Sequence, residues 1–117
     1  MSKPAKKLVW IFLDTDKHVS PFDVLTAIDL FPDAQILQYS GVNPDDAKKI
    51  IQDAMFPRGP EGAKCTKVFI GGYDVNKAME ILEVAEKAMF RPFELAVIVE
   101  PRGAYTTSSA AVAKTLA

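Results

Sequence analysis

Lys6 to Phe31 reads KKLVWIFLDTDKHVSPFDVLTAIDLF, and its two halves obey different rules. Leu8 to Leu13 is an unbroken apolar run rich in branched and aromatic side chains. A strand with one wet face alternates apolar and polar residues; a strand without alternation is covered on both faces, the condition of a parallel sheet flanked by helices. From Ser20 onward the pattern turns helical. Ser20 suits the N-cap, Pro21 the first helical position, and Asp23 the first turn, where the helix dipole favours negative charge. Asp14 and Asp16 lie between the halves, so with Asp23 three carboxylates crowd the end of a buried strand. Like charges at close range repel, and burying one is costly unless something pairs with it. Either water or a ligand must answer them.

Working outward, the same unit recurs. AQILQYS precedes NPDDAKKIIQDAMF, with Asn43 as cap, Pro44 in the first position, and Asp45 and Asp46 at the positive end of the dipole. TKVFIGG precedes YDVNKAMEILEVAEKAMF, whose Val75, Ala78, Met79, Leu82, Ala85 and Met89 fall at the spacing of one buried helix face. FELAVIVEP precedes TTSSAAVAKTLA, predicted as a last helix of small residues that runs to Ala117 without a stop signal. PRGPEGAKC, with its prolines and glycines, is expected to be a surface loop. Four such units joined by right-handed crossovers give an α/β fold: an open, doubly wound parallel sheet of about four strands with helices on both faces. The expected strand order is 2-1-3-4, as in flavodoxin-like domains.

Composition narrows the function classes. The 117 residues fit a single α/β domain, and 49% apolar with 25% charged residues describes an ordinary globular chain. With 14 basic and 15 acidic residues the net charge is −1, which supplies no field to gather phosphodiesters, so no nucleic-acid partner is expected. Cys65 is the single cysteine. It excludes an internal disulfide and fits the reducing cytoplasm, where the chain is expected to work. No run approaches the roughly twenty apolar residues of a membrane span, and the basic start with LVWIFL is too short for a secretory signal.

In a sheet of this kind all strands end at one edge, and ligands bind where the strand order reverses. That edge collects Asp14, Thr15 and Asp16, then Ser40 and Gly41, then Gly71 and Gly72, then Glu100 to Tyr105. Thr106 and Thr107 open the last predicted helix, where unpaired N–H groups and hydroxyls can meet an anion or a carbonyl. Plainer readings stand beside these. Asp14 and Asp16 read equally as acids of a solvated turn, Asp23 as a dipole acid, and Gly71 and Gly72 as a strand end, since GGYDVN lacks the dinucleotide pattern GxGxxG. His18 reads as a proton carrier or as an ordinary loop histidine.

The order of LDTD, SPFD, GVNPDDA, FPRG, VFIGGYD, RPF and YTTSSAAVA resembles the N-terminal domain of the methylene-tetrahydromethanopterin dehydrogenases, a family that includes forms acting on methylene-tetrahydrofolate. The resemblance spans almost the whole chain. It implies a domain that forms one wall of a pterin cleft, while a separate Rossmann domain binds NAD(P) and hydride passes between the pterin's methylene carbon and the nicotinamide. It further implies a pterin contact by Asp14, Thr15, Asp16, Ser20, Asp23, Gly71, Gly72, Thr106 and Thr107, with carboxylates accepting hydrogen bonds from the amino-pyrimidine edge. The family pattern carries a glycine where Tyr73 stands. The chain is expected to be one domain over 1–117 without the Rossmann domain, to hold tetrahydromethanopterin or tetrahydrofolate as ligand, and to meet NAD(P) only through a missing or partner domain. The resemblance assigns no catalytic residue to this chain.

Two other readings compete. DTDKH after the first strand is similar to the start of Mg²⁺-dependent phosphotransferases with an aspartyl nucleophile, although His18 departs from their pattern and no later acidic metal pair is apparent. A homo-oligomeric assembly module is the other, in which the small-residue last helix pairs with another copy.

Overall fold

The computed structural model describes residues 7–100 and, for the backbone alone, 112–115. Its elements in chain order are β1 (Val9–Asp14), α1 (Pro21–Leu30), β2 (Gln35–Tyr39), α2 (Pro44–Met55), α3 (Gly59–Lys64), β3 (Thr66–Gly71), α4 (Val75–Ala88), β4 (Ala96–Val99) and β5 (Val112–Thr115). β1 is central: Leu13 lies opposite Tyr39 of β2 on one side and Ile70 of β3 on the other, both in parallel register. β3 then pairs β4 in parallel, with Ile70 opposite Val99. The four parallel strands stand in the order 2-1-3-4 expected by analogy with flavodoxin-like domains.

The start signals act as expected. Ser20 accepts the N–H of Asp23 and Asn43 that of Asp46, each from the N-cap, and Pro21 and Pro44 begin their helices; Asp74, not singled out in the sequence, caps α4 in the same way by accepting the N–H of Lys77.

Three readings need correction. Residues 112–115 form not helix but strand β5, antiparallel to β4 with Val99 opposite Val112; the remainder of that predicted helix, Thr106 and Thr107 included, lies outside the described residues. The open edge of β4 presents unpaired N–H and C=O groups, and pairing with it outweighs the weak helical preference of a short small-residue stretch. The expected loop after α2 contains α3. Gly62 makes that turn possible: a Cβ there would stand 2.1 Å from Arg58 Cβ. With that space, Arg58 Nη1 reaches Thr66 Oγ1 at 2.8 Å and Nη2 the carbonyl of Lys7. On α4 the buried face is Ala78, Ile81, Leu82 and Ala85, while Val75 and Met79 are exposed, so the stripe is rotated toward Ile81 from the one the spacing suggested.

The sheet has two unlike faces. Ile11 and Leu13 of β1, Val68 and Ile70 of β3, and Val97 and Val99 of β4 meet Ala47, Ile51 and Met55 of α2 and Ala78, Ile81, Leu82 and Ala85 of α4. Trp10 and Phe12 point the other way and meet Val24 and Ala27 of α1, with Phe69 and Ile98 only partly covered. Winding order explains this. The crossover from β1 to β2 runs in one direction along the sheet and the next crossovers run in the other, so α1 stands opposite α2 and α4.

Candidate functional site

The alternation of β1 puts Asp14 on the α1 face with Trp10 and Phe12. It is 2% exposed and tied into its own turn: Oδ1 accepts the N–H of Asp16 at 2.8 Å and Oδ2 that of Ser20 at 3.3 Å. Hydrogen bonds to a charged acceptor contribute about 1.5–3 kcal/mol each. One of the three crowded acids is thus answered by backbone.

Asp16 joins separate turns. Both its carboxylate oxygens accept the N–H of Tyr73 at 3.1 Å, and its carbonyl accepts the N–H of Gly41 at 2.6 Å. The carbonyl of Asp14 accepts the N–H of Val42 at 3.0 Å, and that of Gly71 accepts the N–H of Thr15 at 3.2 Å. The turns after β1, β2 and β3 are therefore laced into one rim, the place where the strand order reverses.

Gly71 and Gly72 supply the close approach that this lacing needs. A Cβ on Gly71 would stand 3.4 Å from Asp23 Oδ2 and 3.5 Å from Asp14 Oδ2, so both carboxylates converge on that glycine. Gly72 has φ +136°, and a Cβ there would stand 2.0 Å from Thr15 Oγ1. Thr15 Oγ1 is buried with no hydrogen-bond partner among the described residues.

Asp23 is 8% exposed, and its carboxylate borders a groove of ≈ 320 Å³ beside α1. Glu100, just past β4, joins Asp23 in lining it, and Trp10, Phe12, Phe69 and Ile98 form its apolar wall. The rings of Phe31, Trp10, Phe12 and Phe69 follow one another at centroid distances of 5.5, 6.4 and 5.0 Å. Trp10 Nε1 is buried and unpartnered among the described residues. An aromatic wall with convergent acceptors suits a flat heterocycle rich in N–H donors.

Of the residues singled out in the sequence, Asp14, Thr15, Asp16, Ser20, Asp23, Gly71 and Gly72 stand together at this rim. His18 is exposed on the turn above it. The aromatic wall was missed, although a signal existed: Trp10, Phe12 and Phe69 occupy one parity of β1 and β3, while branched aliphatics occupy the other. Among the described residues no group of three or more His, Cys, Asp or Glu side chains is placed to hold a metal ion. No described helix is long and apolar enough to cross a membrane.

The family model of methylene-tetrahydromethanopterin dehydrogenase, N-terminal, matches residues 21–102. That stretch includes Asp23, Gly71, Gly72 and Glu100 and begins after Asp14 and Asp16. The NAD(P)-dependent methylenetetrahydromethanopterin dehydrogenase of Methylorubrum extorquens is 39% identical over 98 residues, covering 84% of this chain and 33% of its own length. The bifunctional protein MdtA of the same organism is 33% identical over 109 residues, covering 93% of this chain and 37% of its own length. The chain spans about a third of the length of these relatives. A family model matched from α1 through β4, together with relatives aligned along most of the chain, places it in the family of methylene-tetrahydromethanopterin dehydrogenase N-terminal domains.

Proposed function

We propose that this domain binds a reduced, one-carbon-carrying pterin of the tetrahydromethanopterin or tetrahydrofolate type, as one wall of a methylene-pterin dehydrogenase site or as a stand-alone relative of it. The observation that carries the reading is the meeting of Asp23 and Glu100 at an aromatic groove, beside the rim that Asp16 laces together. A pterin's amino-pyrimidine edge is rich in N–H donors and its rings are flat. Carboxylates accept from the edge and aromatic rings stack on the face. Thr106 and Thr107 belong to the same proposal as hydroxyl contacts from beyond β4.

The described residues of the rim offer no built site for a dinucleotide. Asp14, Asp16, Asp23, Asp74 and Glu100 make it acidic where a pyrophosphate needs positive charge, and Gly71 and Gly72 form no phosphate-cradling loop. Dehydrogenase activity then requires NAD(P) to be held by another domain or chain, and this domain contributes binding and orientation. Titration of the chain with tetrahydromethanopterin or tetrahydrofolate tests the reading. One of them should stabilise the fold by roughly 2.7 kcal/mol at a hundredfold excess over its dissociation constant. Asp23→Asn and Asp16→Asn should each weaken that binding by about tenfold, the loss of one charge-assisted hydrogen bond. Absence of stabilisation by either pterin sinks the proposal.

A further inference from the structure

The groove beside α1 holds one polar atom for which the described residues provide no partner. Trp10 is 7% exposed and lines the groove, and its Nε1 is buried without an acceptor among the described residues. An indole nitrogen only donates, so a buried one that finds no acceptor forfeits the hydrogen bond that water would have given it. Buried polar atoms are paired as a rule, and an exception on the wall of a groove directs attention to what enters the groove.

The polar groups of this groove are sorted by position. From Asp23 in its first turn to Phe31 at its C-cap, α1 rises by about 12 Å. Asp23 and Glu100 stand at the rim end: Asp23 Oδ2 lies over Gly71, and the N–H of Glu100 donates to the carbonyl of Ile70. Trp10 stands at the other end, its ring centroid 5.5 Å from that of Phe31. Phe12 and Phe69 fill the wall between, with centroids 5.0 Å apart. Acceptors at one end, a lone donor at the other and flat rings between them select a flat molecule with donors on one side and an acceptor on the other. An amino group and a carbonyl on one six-membered ring, each with a hydrogen bond of about 2.9 Å to its partner, bridge roughly 10 Å. The oxo-pyrimidine ring of a pterin carries both groups.

We propose that Trp10 is a specificity-determining residue of this groove: its Nε1–H donates to the ring carbonyl of the bound heterocycle, while Asp23 and Glu100 accept from the amino side. The inference rests on the pterin reading and adds to it the group that tells an oxo ring from an amino ring, since an amino group in the carbonyl's place sets donor against donor. Trp10 is the single tryptophan, so its emission reports on the groove directly. Titration of the full chain with tetrahydrofolate or tetrahydromethanopterin, whichever binds by calorimetry, should quench or shift that emission along the same isotherm. Trp10→Phe keeps an aromatic ring and removes the N–H. It should weaken that pterin by about tenfold and leave the affinity for the pterin's 4-amino counterpart unchanged. Circular dichroism confirms that the variant is folded, and the emission titration needs no variant. A wild-type chain that binds neither pterin overturns the pterin reading and this inference with it. Binding that leaves the Trp10 emission unchanged overturns this inference alone, as does a Trp10→Phe variant that shifts both heterocycles equally or neither.

Discussion

The two faces of the sheet are built for different ends. Among the described residues, seventeen buried side chains form the core on the α2 and α4 side, and nearly all are aliphatic; four form the core on the α1 side, two of them Trp10 and Phe12. The closed side is fully packed at its centre and leaves its spare apolar surface at the margin, where Phe56 and Phe90 are exposed and a groove of ≈ 340 Å³ runs beside α2. The open side leaves Phe69 and Ile98 half-covered, keeps a groove beside α1, and turns Phe22, Leu25 and Leu30 to water. Stability concentrates where layers are complete, and surfaces that recognise something else are drawn from the part that packing leaves unfinished. The acids follow the same division, since Asp14 and Asp23 both lie over Gly71 on the open face.

Substitutions can break this contrast or sharpen it. The largest effect is expected on the closed face: Leu13→Ala or Ile70→Ala, both at 0% exposure, should lower the unfolding free energy by about 2–5 kcal/mol in urea titrations. A loss under about 1 kcal/mol would show that face to be less tightly packed than its burial indicates. At the seam between the faces, Gly72→Ala puts a Cβ against Thr15 at a φ that side chains avoid, and it should cost about 1–3 kcal/mol. The caps come next. Asn43→Ala removes a 2.7 Å bond at α2 and should cost about 1 kcal/mol, while Ser20→Ala at α1 removes a 3.5 Å bond and should cost less, as parallel thermal melts would report. Smallest of all, Leu25→Ala, at an exposed position of α1, should change the unfolding free energy by less than about 0.5 kcal/mol. A larger loss there would mean that α1's outer side already packs within the chain.

Much of this architecture was legible before any coordinate. Continuous apolar runs announce strands covered on both faces, Ser20–Pro21 and Asn43–Pro44 announce helix starts, and the recurring βα unit makes a doubly wound sheet, whose 2-1-3-4 order came from likeness to flavodoxin-like domains. Each of these signals is carried by neighbours in the chain. The failures fall where the deciding partner is remote: 112–115 pairs with β4, α3 forms under the side chain of Arg58, and the α4 stripe turns to meet α2 and the sheet. The site divides in the same way. That acids, glycines and hydroxyls share one edge follows from strand order alone. That Asp14 is spent on the N–H groups of Asp16 and Ser20, that Asp16 clasps Tyr73, and that Asp23 borders an aromatic groove were decided only by tertiary structure. The sequence by itself determined which chemical groups arrive at the rim, because periodicity and capping act locally. How those groups are held, and which of them line a groove, depends on turns up to 57 residues apart closing against one another.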